Sequence, residues 1–408
     1  MNLVIPFRPE ITHLTVGYMP LLDSAPLLWA AHRGYFRAAG LDVELVGEVS
    51  WASLRDRLAY GALDAAQCLA PMPVAATLGA DGVGVPMVTG LCLSRGGSAI
   101  TFSRSMADRL GINGTMSVAD SSAAVARYVR GGGRLRLAHV FPFSMHHYLL
   151  RDWLALGGLD LMHGGDAAGI EFSVAPPPQM VRLLEIGAVD GFCVGEPWNT
   201  AAVKGGLGYV VTPTSEIWDG GADKVLGVTH EWAQQFPDTH RALLSAVMAA
   251  LAEMASRDVT AELTMLLHRM KVVAVPESWI EAVLRGQGMG SPPRFATGLH
   301  AFPRRSQLMW CALQMLRWRQ WAQPISLSKV TSAVCDVSAY CDAAAALGFP
   351  RPSVDSVREG AGRVALGSDG ASIESRFVDG SELDPANPAA YLTARGWPLD
   401  EAQSAVAG

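Results

Sequence analysis

Positive charge is scarce in this chain. Lys and Arg number 32 among 408 residues, against 38 Asp and Glu, for a formal net charge of −6 with histidine neutral. That balance excludes a nucleic-acid backbone as a direct partner, since phosphate binding needs a basic excess. Long apolar runs are also missing. No stretch of roughly eighteen apolar residues escapes Gly, Pro or charge, so no membrane span is expected. The best candidate, residues 242–254, carries Glu253 and reads as a packed helix. The opening MNLVIPFRPEITHLTVGYMP lacks a basic n-region, an apolar h-region and a small-residue cleavage site, so no secretory leader is expected. The six cysteines, at 68, 92, 193, 311, 335 and 341, form no C-x-x-C pair and read as reduced, mostly buried thiols. Missing leader and unpatterned cysteines together predict a cytoplasmic location. There is no G-x-S-x-G, no P-loop, no H-E-x-x-H and no spaced Cys/His set, so neither catalysis, a cofactor nor a metal is expected.

What is present is a well-patterned globular chain. Its length exceeds one ordinary hydrophobic core, and half its residues are hydrophobic, which predicts two α/β lobes. A strand over 13–19, a helix over 25–39 ending at Gly40 and a strand over 41–46 predict a right-handed β-α-β unit, with Asp23 or Ser24 as the helix cap. One pattern occurs twice. Trp51–Gly61 reads as a helix closed by glycine, followed by Ala62-Leu-Asp64, a short buried strand and Pro71; Gln179–Gly187 is followed by Ala188-Val-Asp190, a strand and Pro197. Two related lobes facing a shared cleft would give this recurrence, and so would coincidence, since Gly-x-x-Asp is a common helix-to-strand turn. Further expectations are a glycine turn at 93–98, strands at 99–102 and 136–140, and helices at 142–156, 239–257, 276–284 and 306–321. From about 325 the texture changes. Gly, Ser, Asp and Pro dominate 348–390, but Phe377, Tyr391 and Trp397 are spaced so as to pin an extension onto the lobes.

Ligands of open α/β sheets bind beyond the carboxyl ends of the strands. Four places near such ends carry donors. Trp51 offers an indole N–H and a flat face. The Ser94–Ser98 turn offers hydroxyls and the backbone N–H groups of Gly96 and Gly97, a potential anion nest. His146 opens a helix, where the dipole favours anions. Lys224 stands at the entry to a strand. Taken singly, each has a plainer reading: a packing tryptophan, an ordinary turn, a capping histidine, a solvated lysine. Together Trp51, Ser94, Gly96, Gly97, His146 and Lys224 are neutral or positive donors. They suit a planar oxyanion that accepts hydrogen bonds and has none to give, provided no carboxylate faces it.

At these residues the chain resembles the nitrate- and bicarbonate-binding proteins of cyanobacterial ABC transporters, and more closely their relatives, the NasS-like nitrate/nitrite sensors. The segments that carry the resemblance are TVGYMPLLDSAPLLWAAHRGYFRAAGLDVEL, SWASLRDRLAYGALDAAQCLAPMP, HVFPFSMHHYLLRDWLALGGLD, VAPPPQMVRLLEIGAVDGFCVGEPWN and DKVLGVTHEW, with the later FVDGSELDPANPAAYL. The resemblance implies a periplasmic-binding-protein-like fold of type II, with lobe I at 10–100, lobe II at 101–222, a return to lobe I at 223–325 and an extension at 326–408. It implies that Trp51, His146 and Lys224 contact nitrate or nitrite, Lys224 standing where bicarbonate binders carry an acid. His147 and the Ser94-Arg95-Gly96 run depart from the family pattern, in which a smaller amide or acid and an Asn- or Gln-containing turn are expected. A sensor of this type sequesters an ANTAR-type RNA-binding antiterminator (NasT-like) and releases it when the anion binds. The alternative is the substrate-binding component of a nitrate/nitrite transporter.

Overall fold

The first unit forms as its alternation dictates. In the computed structural model, β1 (His13–Tyr18) and β2 (Asp42–Gly47) pair in parallel from His13↔Asp42 to Tyr18↔Gly47. The single helix expected between them is broken. It runs Ala25–His32 and resumes at Tyr35–Ala38, because Gly34 takes a φ of +74° that stops the first helical run. The structure describes residues 5–161, 169–367 and 371–407. Residues 1–4 of the stretch read for a leader, and 368–370 and 408 of the extension, lie outside the described residues.

β3 (Ala65–Leu69) and β4 (Met87–Gly96) follow in the same sheet. The chain then crosses to a second sheet made of β5 (Ser98–Ser103), β6 (Leu135–His139), β7 (Ile170–Val174), β8 (Gly191–Gly195) and β9 (Gly208–Pro213). It returns through the short β10 (Trp218–Asp219) into β11 (Ala222–Thr229) and β12 (Pro293–Phe295) of the first. The strand orders are β12-β4-β11-β3-β1-β2 and β7-β6-β8-β5-β9. Two crossings therefore join two α/β lobes, the arrangement of type II periplasmic binding proteins. The sheets change at Gly97 and between Pro213 and Ala222.

The twofold sequence pattern has a structural counterpart. Asp64 accepts from the backbone N–H of Thr15 at 2.7 Å, beside β1. Asp190 accepts from the N–H of Arg136 at 2.8 Å, beside β6. In each lobe the aspartate that opens one parallel strand satisfies a backbone donor of its neighbour.

The extension is packed on the lobes. Its strands β13 (Gly362–Ala365) and β14 (Ser372–Phe377) join β10 in a small sheet ordered β10-β14-β13. Phe377, Tyr391 and Trp397 are buried; Trp218 lies 4.5 Å from Trp310 and 4.9 Å from Phe377, ring centre to ring centre. The Trp310 indole donates to Tyr391 Oη at 2.7 Å. Arg304 and Glu359, both fully buried, form a two-pronged ion pair at 2.9 and 3.0 Å that fixes the extension to the start of helix Arg305–Arg317. All six cysteines are free thiols. Among the described residues no helix is long and apolar enough to cross a membrane, and no cluster of three His, Cys, Asp or Glu side chains is placed to hold a metal.

Candidate functional site

Lys224 is the centre of the site, and an irregularity in its strand aims it. Ala222 stands opposite Arg95 of β4 while Lys224 stands opposite Ser94, so β11 advances two residues against one. Such a bulge turns consecutive side chains toward the same side. Asp223 and Lys224 accordingly meet, with 2.8 Å between Nζ and Oδ2. A second carboxylate arrives from the 3-10 turn Leu22–Ser24 that follows β1: Asp23 Oδ2 lies 2.9 Å from the ammonium. Gln67 of β3 holds Asp23 in place by donating to its Oδ1 at 2.6 Å, while accepting from the N–H of Met19 at 3.0 Å.

Lobe II brings the histidine. His146 is the second residue of helix Met145–Leu156, whose cap is Ser144 accepting from the His147 N–H. Its Nε2 lies 2.9 Å from Ser98 Oγ, at the start of β5, and Ser98 Oγ donates to Asp223 Oδ2 at 3.1 Å. The chain Lys224–Asp223–Ser98–His146 thus spans both lobes. It also fixes a tautomer. The single hydroxyl proton of Ser98 goes to the carboxylate, so His146 donates from Nε2, and a neutral ring then has an acceptor at Nδ1. Burial, Lys224 and His139 hold His146 well below the usual histidine range, which keeps it neutral. Trp51 opens helix Trp51–Ala59, with the Lys224 ammonium 5.7 Å from its ring centre. Its indole Nε1, His146 Nδ1, Ser94 Oγ and Asp223 Oδ1 are buried with no hydrogen-bond partner among the described residues.

Trp51, His146 and Lys224 therefore converge, and Ser94 lies in register beside Lys224. Gly96 and Gly97 do not form a turn. They are the passage from β4 to β5, with φ of +60° and +87°, and a Cβ on Gly97 would sit 2.9 Å from Pro293 Cα. The glycine turn expected at 93–98 is a crossing strand between lobes, glycine being required by dihedral and by close packing.

A further expectation fails. The donor set calls for no facing carboxylate, but Lys224 shares its charge with two. The physical reason is burial: an ammonium out of water needs a counter-charge, and Asp23, read as a helix cap, supplies one instead. Burial raises the Asp23 pKa above the ordinary carboxylate value, aided by Asp223 and opposed by Lys224. Burial pulls Lys224 down, but Asp223 and Asp23 outweigh it and leave its pKa raised. With one carboxyl protonated the group is neutral, and its unspent donors are the Trp51 indole and the Ser94 hydroxyl.

No sequence expectation makes Asp23, Gln67 or Asp223 a ligand contact, and Ser98 enters only as the end of the Ser94–Ser98 turn. The available signal was polarity inside apolar strands: Gln67 in AAQCL, and Asp223-Lys224 leading into VLGV. Glu196 joins the lobes nearby. Its carbonyl accepts from the N–H of Leu22 at 3.1 Å, and its N–H donates to the Gly97 carbonyl at 2.9 Å. Burial pushes its carboxyl up to about 7 against donors from Thr200 and Gly290.

Residues 8–267 match the NMT1-like family. The chain belongs to that family. Within it the chain falls among the NrtA- and CmpA-type substrate-binding proteins, which are not enzymes. It is 31% identical to the nitrate/nitrite binding protein NrtA of Synechococcus elongatus over 94% of this chain and 86% of that one. The crystal structure of the periplasmic nitrate-binding protein NrtA from Synechocystis PCC 6803 superposes with a TM-score of 0.84 at 28% identity, over 95% of this chain and 100% of that one. The alkanesulfonate-binding protein SsuA of Xanthomonas axonopodis shares the fold, with a TM-score of 0.58 at 15% identity, over 79% and 98% of the two chains. The nitrate import ATP-binding protein NrtC of Synechocystis is 35% identical over 84% of this chain, which spans about half the length of that relative, 51%. The residues at 23, 51, 98, 146, 223 and 224 are buried and meet where the two sheets adjoin.

Proposed function

We propose that this chain binds nitrate or nitrite between its lobes and acts as a cytoplasmic sensor, sequestering an ANTAR-type antiterminator and releasing it when the anion enters. The observation that carries the reading is the convergence of Trp51, His146 and Lys224 in a fold that follows a nitrate-binding protein along nearly its whole length. The indole donates and covers a flat ligand, and Lys224 supplies charge. The two aspartates add a condition. A monoanion is accommodated more readily when one of them carries a proton, and burial shifts Asp23 in that direction. Lobe closure supplies the switch: the anion favours the state in which Leu22 and Glu196 meet, and the partner favours the other.

Calorimetric titration with nitrate, nitrite and bicarbonate tests this. One of the two nitrogen oxyanions binds the wild type and not Lys224→Glu. Trp51→Phe, which keeps the ring and loses the donor, weakens it by about tenfold, the scale of one hydrogen bond to a charged group. Unchanged binding by both variants removes the cleft as the site. The sensor half is tested by copurification. A NasT-like partner is retained without ligand and lost on adding the anion. The second reading, a transporter's substrate-binding component, is favoured by the import and transport names of relatives such as NrtC and CmpC; it stands if the partner ignores the ligand.

A further inference from the structure

β4 and β12 set two arginines side by side. Arg294 is the antiparallel partner of Arg95, so both side chains leave the sheet on one face, opposite that of Ser94. Like charges directly opposed weaken a sheet, and a counter-charge is expected between them. One carboxylate is there: Asp219 of β10, 2.6 Å from Arg294 Nη1. Arg95 makes no ion pair or side-chain hydrogen bond among the described residues. Its Nε, and Nε and Nη2 of Arg294, are buried without partners. The third arginine nearby, Arg304, is neutralised by Glu359. His300, in the turn Gly298–Ala301, adds a buried Nδ1 that also lacks a partner. Burial and the field of Arg95, Arg304 and Arg294 push His300 down to about 4, and burial with Arg294 draws Arg95 down to about 10. Burial is the larger cause of both displacements, and the neighbouring guanidinium groups add to it.

We propose that Arg95, Arg294 and His300 form a second anion site at the lobe crossings, apart from the cleft, and that it takes inorganic hydrogen phosphate. Two guanidinium groups against Asp219 leave one net positive charge. Their forked N–H donors match an oxyanion with several acceptor oxygens. Asp219 is the discriminating element. It can only accept, so it suits an oxyanion that carries a proton and opposes sulfate, which carries none. The position gives the site a consequence. Arg95 lies two residues before Gly97 on the first crossing, and Asp219 lies on the second. An anion held here ties both crossings together and couples phosphate to lobe movement.

Calorimetry with inorganic phosphate and with sulfate at equal ionic strength tests the site. The expected result is saturable phosphate binding, sulfate weaker by about tenfold or more, and loss of about tenfold in phosphate affinity in Arg95→Gln and in Arg294→Gln, the scale of a charge-assisted hydrogen bond. Trp51→Phe, altered only in the cleft, binds phosphate as the wild type does, whatever its response to nitrate. Absence of phosphate binding in the wild type, or unchanged binding in both arginine variants, overturns the proposal. Should the variants fail to fold, the wild-type Tm decides: a rise with phosphate that sulfate does not match supports the site, and equal rises overturn it.

Discussion

Single residues show how burial governs this protein's ionic chemistry. His139, His146 and His147 are buried and packed near one another, with His147 Nδ1 2.9 Å from His139 Nε2. Desolvation is the largest influence on all three; it takes His139 down to about 3 and the other two well below their usual range. Below the ordinary histidine value of about 6.5 the unfolded chain takes up protons that the native chain refuses, so stability is complete above that pH and is lost as pH falls toward the native values. Glu196 works the other way. Its carboxyl, raised to about 7, holds a proton in the native state that the unfolded state releases, so stability is gained as pH falls through that range. These three histidines, with His300, outweigh the raised carboxyls of Glu196, Asp23 and Asp152. Urea unfolding between pH 6.5 and 5 is expected to show stability falling by about 1–3 kcal/mol per pH unit, each net proton contributing about 1.4. A flat or rising profile contradicts it. The same residues mark what could be read beforehand. Trp51, His146 and Lys224 stand at strand ends and helix starts, positions that local patterns reveal. Asp23 could not be assigned that way, because an aspartate before an apolar helix is equally a cap, and only long-range pairing with Lys224 decides.

At the scale of elements, the strands and helices followed from alternation and glycine stops, whereas the crossings did not. A run such as Leu93-Ser-Arg-Gly-Gly-Ser98 has the composition of a turn, and nothing local says that its two halves pair into different sheets. The structure makes Gly97 the point where that happens. Gly97→Ala places a Cβ 2.9 Å from Pro293 Cα at a φ of +87°, strained in both dihedral and space. A loss of about 1–3 kcal/mol is expected in denaturant unfolding, with weaker ligand binding because the lobes no longer meet in register. Full stability and affinity in this variant would show that the crossing tolerates a side chain there.

For the whole molecule, the extension is the part whose presence the sequence announced and whose attachment it concealed. Phe377, Tyr391 and Trp397 were visible as anchors, but Glu359 is an ordinary glutamate in the sequence and a fully buried one in the fold. It accepts from Arg304, Ser306 and Ser375, joining three separated stretches of chain. Glu359→Ala leaves the Arg304 guanidinium buried without its counter-ion, which costs about 3–5 kcal/mol. Thermal unfolding is expected to shift downward by several degrees or more, and an unchanged Tm would mean that the arginine finds water on its own. Replacing Arg304 and Glu359 together by apolar residues is expected to recover part of that loss.

The small sheet ordered β10-β14-β13 binds the extension to the strand on which the chain travels back between the lobes, through Trp218↔Phe377 and Asp219↔Arg376. A rotation of one lobe against the other must therefore carry β14 with it or shear those two rungs. The outer strand of that sheet is then a pointer attached to the axle, so a change in the angle between the lobes is displayed on an outward edge far along the sequence from Trp51, His146 and Lys224.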